Sequence, residues 1–271
     1  MIRLALRVRR ADAELVLAEL IHLAPAGVEE TDLGDIVEYA VYGAPGELPG
    51  LPEVRAAAGG SLVDIATTEV ADDWAQRWRA FHEPVTVGGR LHVRAPWHEP
   101  APPELPEVVI DPGQAFGTGA HATTRLCLEL LLELEPAGAL VDLGCGSGVL
   151  GIAAAKLGWS PVLGVDHEPE SVEATIDNAR VNGVVVEARP FDLVRDAPAP
   201  VAPTVTANLL GPLLRRLAAD GFAGGEVPRA LIASGLLVEE ADGVAAAFAR
   251  RGLRERTRRT DGEWAALLLV A

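Results

Sequence analysis

Leu140-Val-Asp-Leu-Gly-Cys-Gly-Ser-Gly-Val-Leu-Gly151 reads as a buried strand, a glycine turn and the start of a helix. Leu140, Val141 and Leu143 form a short apolar run, and Gly144, Gly146 and Gly148 then remove β-carbons where the chain turns, so backbone N–H groups can approach a ligand closely. A helix running on through Ile152 to Leu157 points its N-terminus at that turn, which is how α/β proteins cradle a nucleotide. Gly146-x-Gly148-x-x-Gly151 also satisfies the dinucleotide fingerprint, and Asp166 lies about twenty residues on, where a ribose-binding acid belongs. Asp142 argues against a dinucleotide: a carboxylate at the strand's end repels a pyrophosphate and attracts the ammonium of a methionine moiety. S-adenosylmethionine is therefore the favoured ligand, with NAD and a purely structural turn as the alternatives.

Around this centre the chain alternates strands and helices. Pro161 to Val165 reads as a second buried strand ending in Asp166, whose carboxylate can accept hydrogen bonds from both ribose hydroxyls. Val172, Ile176 and Ala179 are expected to face inward from the helix that follows, with Asn182-Gly183 ending it. Val184 to Ala188 reads as a third strand, with Phe191 and Asp192 at its exit. A fourth strand ends at Asn208, and Pro212 suits the opening of the next helix. Ala230 to Ala233 makes a fifth strand, and a helix from Glu239-Glu240 to Arg250-Arg251 stops at Gly252. Leu253 to Thr260 and Glu263 to Val270 flank Asp261-Gly262 as a hairpin. An antiparallel hairpin closing a parallel sheet is unlike a simple dinucleotide domain and suits the seven-stranded methyltransferase sheet.

Upstream, Ile2 to Val8 alternates as a strand, and Ala13, Val16, Leu17, Leu20, Ile21 and Ala24 recur at helical spacing. Gly27 to Leu33 and Asp35 to Tyr42 form a strand pair around Gly34, Leu51 to Ala58 a short helix, and Ser61 to Glu69 another strand. The order β-α-β-β-α-β is the split, ferredoxin-like pattern, so residues 1–70 are expected to form a small α+β module. Residues 71–106 read as a linker: Trp74, Trp78 and Phe81 make one aromatic stripe on a helix, Arg90 to Ala95 a strand, and Pro96 to Pro106 a proline-rich passage. Residues 107–271 then form the catalytic domain. Between them Val108 to Thr124 is a glycine-rich polar loop entering a helix whose apolar residues are Leu126, Leu130, Leu131 and Leu134. His121 and Thr123 or Thr124 there have an ordinary capping explanation.

Composition narrows the function. The 271 residues are 49% hydrophobic and carry a formal charge of −16, with Lys156 the only lysine. That charge opposes nonspecific nucleic-acid binding and suits a basic partner. The N-terminal stretch alternates apolar with basic residues, unlike a signal peptide, and Ala265 to Ala271 is too short to span a bilayer; a cytoplasmic protein with no membrane partner is expected. Cys127 and Cys145 lack metal-ligand spacing. Nothing in the sequence speaks to oligomeric state.

Nearly end to end, the chain resembles the bacterial ribosomal protein L11 methyltransferases. The resemblance rests on Asp73-Trp74 through Trp78, Ala95-Pro-Trp-His98, Asp111-Pro-Gly-Gln-Ala-Phe-Gly-Thr-Gly119, His121, Thr123-Thr124, Asp142 to Gly148, Gly164-Val-Asp166, Asp177-Asn-Ala179, Asn182-Gly183 and Ala207-Asn-Leu209. Its most specific part is the loop Phe116-Gly117-Thr-Gly-x-His121-x-Thr-Thr124. The family implies a class I S-adenosylmethionine-dependent Rossmann-like fold, cofactor contact by Thr124, Gly144, Asp166 and Asn208, and an N-terminal ferredoxin-like module that recognises the ribosomal protein. Phe116, Gly117, His121, Asp142 and Gly146 complete the candidate cofactor set.

The implied reaction is methyl transfer to a lysine or N-terminal amine. In-line displacement from a sulfonium needs neither metal nor covalent intermediate, and no zinc or Ser/His/Asp constellation is visible. Its obstacle is protonation: with a lysine pKa near 10.4, the neutral amine at pH 7 costs about 4.6 kcal/mol, which desolvation lessens. By resemblance to amine methyltransferases, the Asn208 side-chain oxygen and the Leu209 carbonyl accept the amine's hydrogen bonds and aim its lone pair; the bland alternative is that Asn208 caps the next helix. Other amine acceptors, a nicotinamide-dependent oxidoreductase and a non-catalytic cofactor-binding module are the rival readings.

Overall fold

The computed structural model describes residues 2–13, 16–17, 20, 28–43, 48, 51–69, 83–111 and 121–271. The chain divides into two compact units, Met1–Phe81 and His82–Ala271. The aromatic stripe of Trp74, Trp78 and Phe81, and the loop residues Phe116 and Gly117, lie outside the described residues.

In the first unit, β1 (Ile2–Arg9), β2 (Glu29–Asp32), β3 (Ile36–Gly43) and β4 (Leu62–Glu69) make an antiparallel sheet in the order β2-β3-β1-β4, with helix α1 (Leu51–Ala58) between β3 and β4. Alternation decides the faces. Leu4, Leu6 and Val8 pack with Val37, Tyr39 and Val54 in one apolar cluster, and Ala13, Val16 and Leu20 join it at helical spacing. On β1 the intervening Arg3 and Arg7 both ion-pair with Glu38 of β3 at 2.6 and 2.7 Å, which holds the Glu38 carboxyl below its ordinary value.

The second unit begins well before residue 107. Strands β5 (Val85–Val87), β6 (Leu91–Arg94) and β7 (Glu107–Val109) form a small sheet, and only the middle strand was legible as such. Val87, Leu91, Val93, Val108 and Ile110 join the same apolar cluster as the helices below, so this segment is part of the unit's core rather than a connector. The proline-rich passage between β6 and β7 is pinned by a bidentate pair, Arg94 Nε to Glu107 Oε2 at 2.8 Å and Nη2 to Oε1 at 3.0 Å.

The main sheet has seven strands: β8 (Leu140–Leu143), β9 (Val162–Asp166), β10 (Glu187–Pro190), β11 (Thr204–Asn208), β12 (Ala230–Leu237), β13 (Arg254–Asp261) and β14 (Trp264–Val270), in the order β10-β9-β8-β11-β12-β14-β13. The first five are parallel; β14 is antiparallel to β12 and to β13. Helices α2 (Ala122–Leu131), α3 (Val149–Leu157) and α4 (Pro169–Val181) contribute to the apolar layer on one face, and α5 (Gly211–Asp220) and α6 (Ala241–Ala249) to that on the other. The mostly apolar residues of β8 and β12, buried nearly throughout, reflect burial on both faces.

Three local expectations are corrected. Ile176 is 38% exposed, and Val172, Thr175, Asn178 and Ala179 form the inner stripe of α4 instead. The third strand starts at Glu187, because Val184 N–H continues the helix end by bonding Ala179 O. In the hairpin Asp261 pairs with Trp264, so the two-residue turn is Gly262-Glu263, with Gly262 at φ 59° in the first central position.

Candidate active site

The order of the sheet opens the site. β9 lies on one flank of β8 and β11 on the other, so the connections leaving β8 and β11 diverge and leave a crevice at the carboxyl ends. A pocket of about 530 Å³ lies there, lined by Gly144, Gly146, Asp166, Asn208 and Leu209 among others.

The glycine turn is built as its sequence demands. Gly144, Gly146 and Gly148 all have positive φ, at 73°, 52° and 82°, and a β-carbon on Gly148 would stand 3.0 Å from Thr175. Gly144 and Cys145 N–H both donate to Val165 O, Thr175 Oγ1 donates to Gly146 O at 3.0 Å, and Asn178 Nδ2 donates to Ser147 O at 2.9 Å. The turn thus rests on β9 below and α4 beside it.

Asp166 closes the arrangement. Its Oδ2 accepts from Gly146 N–H at 3.0 Å and its Oδ1 from Glu168 N–H at 3.1 Å. His167 Nδ1 also lies 3.2 Å from Oδ1, so of a carboxylate's roughly four acceptor positions the free one is on Oδ2, available to a ribose hydroxyl. A turn without β-carbons beside an acid with a spare acceptor, both on the pocket wall, fits S-adenosylmethionine.

On the other flank, Asn208 Nδ2 donates to Thr124 Oγ1 at 3.5 Å, which leaves Oδ1 as an acceptor, and Leu209 N–H donates to Ser234 O at 2.8 Å. Leu213 and Leu214 N–H both turn to Leu210 O, so among the described residues the Leu209 carbonyl accepts no backbone hydrogen bond. Thr124 is fully buried behind Asn208.

Three of the expected cofactor residues do not line the pocket: Thr124, fully buried behind Asn208, Asp142 and His121. Asp142 is 1% exposed and sits within β8 beneath the turn, where Oδ1 accepts from Thr206 Oγ1 at 2.6 Å; Oδ2 is turned toward the Gly151 backbone without an ordinary hydrogen bond. It does not line the pocket, because its strand position points it into the sheet's face rather than past its edge. Burial pushes its carboxyl up to about 7 against the opposing effect of the Thr206 hydroxyl. His121 is the N-cap of α2, its Nδ1 accepting from Thr123 N–H at 3.3 Å, with its ring edge-on to Trp264. Cys145 lies in the turn, but burial raises its thiol to about 12 and keeps it protonated.

The pocket also gathers residues that the sequence did not flag, including His167, Glu168, Ser171, Val194 and Leu213. Their one signal was position, just beyond the ends of parallel strands. Asn178 and Asn182, read from the sequence only as part of a family motif and as a helix stop, have a further role. Asn182 Oδ1 accepts from Val109 N–H at 2.8 Å while its Nδ2 donates to Val109 O at 2.6 Å, and Asn178 Oδ1 accepts from Asp111 N–H at 3.0 Å. Two amides one helical turn apart thereby pair with backbone as a strand would, and tie Val109–Asp111 to the glycine turn.

β14, inserted antiparallel beside five parallel strands, separates this sheet from a simple dinucleotide-binding one, and with the Asp166-braced turn it makes the molecule a class I S-adenosylmethionine-dependent methyltransferase. Residues 54–271 match the family model described as ribosomal protein L11 methyltransferase. The ribosomal protein L11 methyltransferase of Geobacter metallireducens is 42% identical over 207 residues, covering 76% of this chain and 68% of that protein. That of Dechloromonas aromatica is 38% identical over 252 residues, 83% of each. The crystal structure of ribosomal protein L11 methylase from Lactobacillus delbrueckii subsp. bulgaricus matches with a TM-score of 0.60 at 26% identity, covering 69% of this chain and 97% of that one. The chain belongs to the ribosomal protein L11 methyltransferase family.

Proposed function

We propose that this protein methylates lysine ε-amines, the N-terminal α-amine or both on ribosomal protein L11, in the cytoplasm, with Asn208 and Leu209 aiming the amine. The observation that carries this reading is that Asn208 and Leu209, whose side-chain oxygen and carbonyl we assign as the acceptors, both line the pocket on the flank across β8 from Asp166. S-adenosylmethionine supplies a methyl carbon on a sulfonium. Gly144, Gly146 and Asp166 would hold that cofactor, and Thr124 acts through Asn208 by accepting from its Nδ2, which leaves Oδ1 for the amine. A neutral amine has two N–H donors and one lone pair. With both donors taken, the lone pair is left to form the new N–C bond as the C–S bond breaks, and the methylated ammonium then returns its proton to solvent. Asn208 and Leu209 carry no negative charge, so they orient the amine without holding it as ammonium in an ion pair.

A charge of −16 draws a basic substrate, and the first unit, with its antiparallel strand order β2-β3-β1-β4, is our candidate for recognising it. The direct test of the site is Asn208→Ala. Single-turnover rate at saturating cofactor should fall by about 2–4 kcal/mol in barrier, the scale of a positioned hydrogen bond in an active site. A variant with nearly the full rate and native thermal stability would show that something other than Asn208 aims the amine.

A further inference from the structure

We propose that Gly235 is a positioning residue for methyl transfer, setting the direction of the Leu209 carbonyl through a bulge in β12. The proposal rests on the reading that this carbonyl accepts a hydrogen bond from the substrate amine. Gly235 has φ +82°, and a β-carbon built on it would lie 2.6 Å from Leu209 O and 2.9 Å from both Leu209 C and Leu209 N. Those are three backbone atoms, and they cannot swing aside as a side chain does. The Leu209 peptide therefore occupies the space that any other residue at position 235 would fill.

The bulge exists to make this approach. β12 pairs with β14 in register up to Ser234↔Ala266 and resumes at Leu236↔Ala265, which leaves Gly235 as the extra residue. Ser234 fixes it on one side: its carbonyl accepts Leu209 N–H at 2.8 Å, and its buried hydroxyl lies 3.1 Å from Thr123 O and 3.2 Å from Ala265 O. Leu209 meets a second glycine through its side chain, since a β-carbon on Gly144 would stand 2.6 Å from Leu209 Cδ2. The residue that faces the amine is thus seated between a cofactor-turn glycine and a bulge glycine. The ribose-binding acid lies outside this arrangement and Leu209 meets the cofactor turn only through its side chain, so a change at Gly235 should lower turnover more than cofactor affinity.

Gly235→Ala tests this directly. In protein that still folds, turnover at saturating cofactor should fall about tenfold or more while the cofactor dissociation constant changes far less, and the clash at 235 lowers the thermal midpoint as well. Ser234→Ala, which adds no atom, should lower turnover severalfold in the same pattern and serves if the alanine at 235 prevents folding. A crystal structure of either variant with the demethylated cofactor should show the Leu209 peptide displaced, and this readout stands whatever acceptor the enzyme uses. Full turnover in both variants, an equal loss of cofactor affinity, or an unmoved Leu209 peptide would overturn the proposal. Should Asn208→Ala leave the rate intact while Gly235→Ala abolishes it, the fault lies in the role given to Asn208 and not in that given to Gly235.

Discussion

Asp142 keeps a proton in the core at pH values where an exposed aspartate has lost it, and the stability of the chain should record this. Its folded value is raised to about 7 by burial, against about 3.9 in an unfolded chain. Below the lower value both states are protonated and the contribution is fully present. Between the two the unfolded chain releases the proton first, so stability falls as pH rises and levels off above about 7. Asp142→Asn, neutral throughout, should therefore gain on the native chain by about 3 kcal/mol between pH 5 and pH 8 in urea denaturation. A gap independent of pH would contradict the assignment. Asp166 acts in binding: its oxygens are bonded to Gly146 and Glu168 N–H, and Asp166→Ala removes both the brace of the turn and the acceptor for ribose. Cofactor affinity measured by calorimetry should weaken by about 1–3 kcal/mol, and an unchanged dissociation constant would remove Asp166 from the site.

At the scale of elements, α4 does more than cover the sheet. Its Asn178 and Asn182 hold Val109 and Asp111 as a neighbouring strand would, and Asn182→Ala leaves the Val109 N–H and C=O without these partners. We expect a loss of about 1–3 kcal/mol in chemical denaturation; a variant as stable as the native chain would mean that water replaces the amide at no cost. The sequence shows why this was hard to foresee. Strands buried on both faces, such as β8 and β12, announce themselves as apolar runs, and the glycine turn and Asp166 follow from spacing. Asn182 before Gly183 looks like a helix stop, and its side chain's partner lies 73 residues away. Strands β5 and β7 are three residues each, too short for alternation to register. Ile176 has inward helical spacing, yet polar Thr175 and Asn178 take that face because the turn and the Val109–Asp111 segment need hydrogen bonds there.

At the scale of the molecule, one unit holds the glycine turn, the acid and the amine-facing strand end, and the other supplies a separate antiparallel sheet with its own apolar cluster. No helix among the described residues is long and apolar enough to cross a membrane. Everything assigned to the pocket presupposes that a protein amine enters it. The measurement that bears on this most directly is mass spectrometry of ribosomal proteins incubated with the intact chain and isotopically labelled S-adenosylmethionine. The account predicts labelled methyl groups on lysine or N-terminal amines of ribosomal protein L11 and their loss with Asn208→Ala. Label confined to another protein, to a non-amine atom or to no protein at all would contradict it.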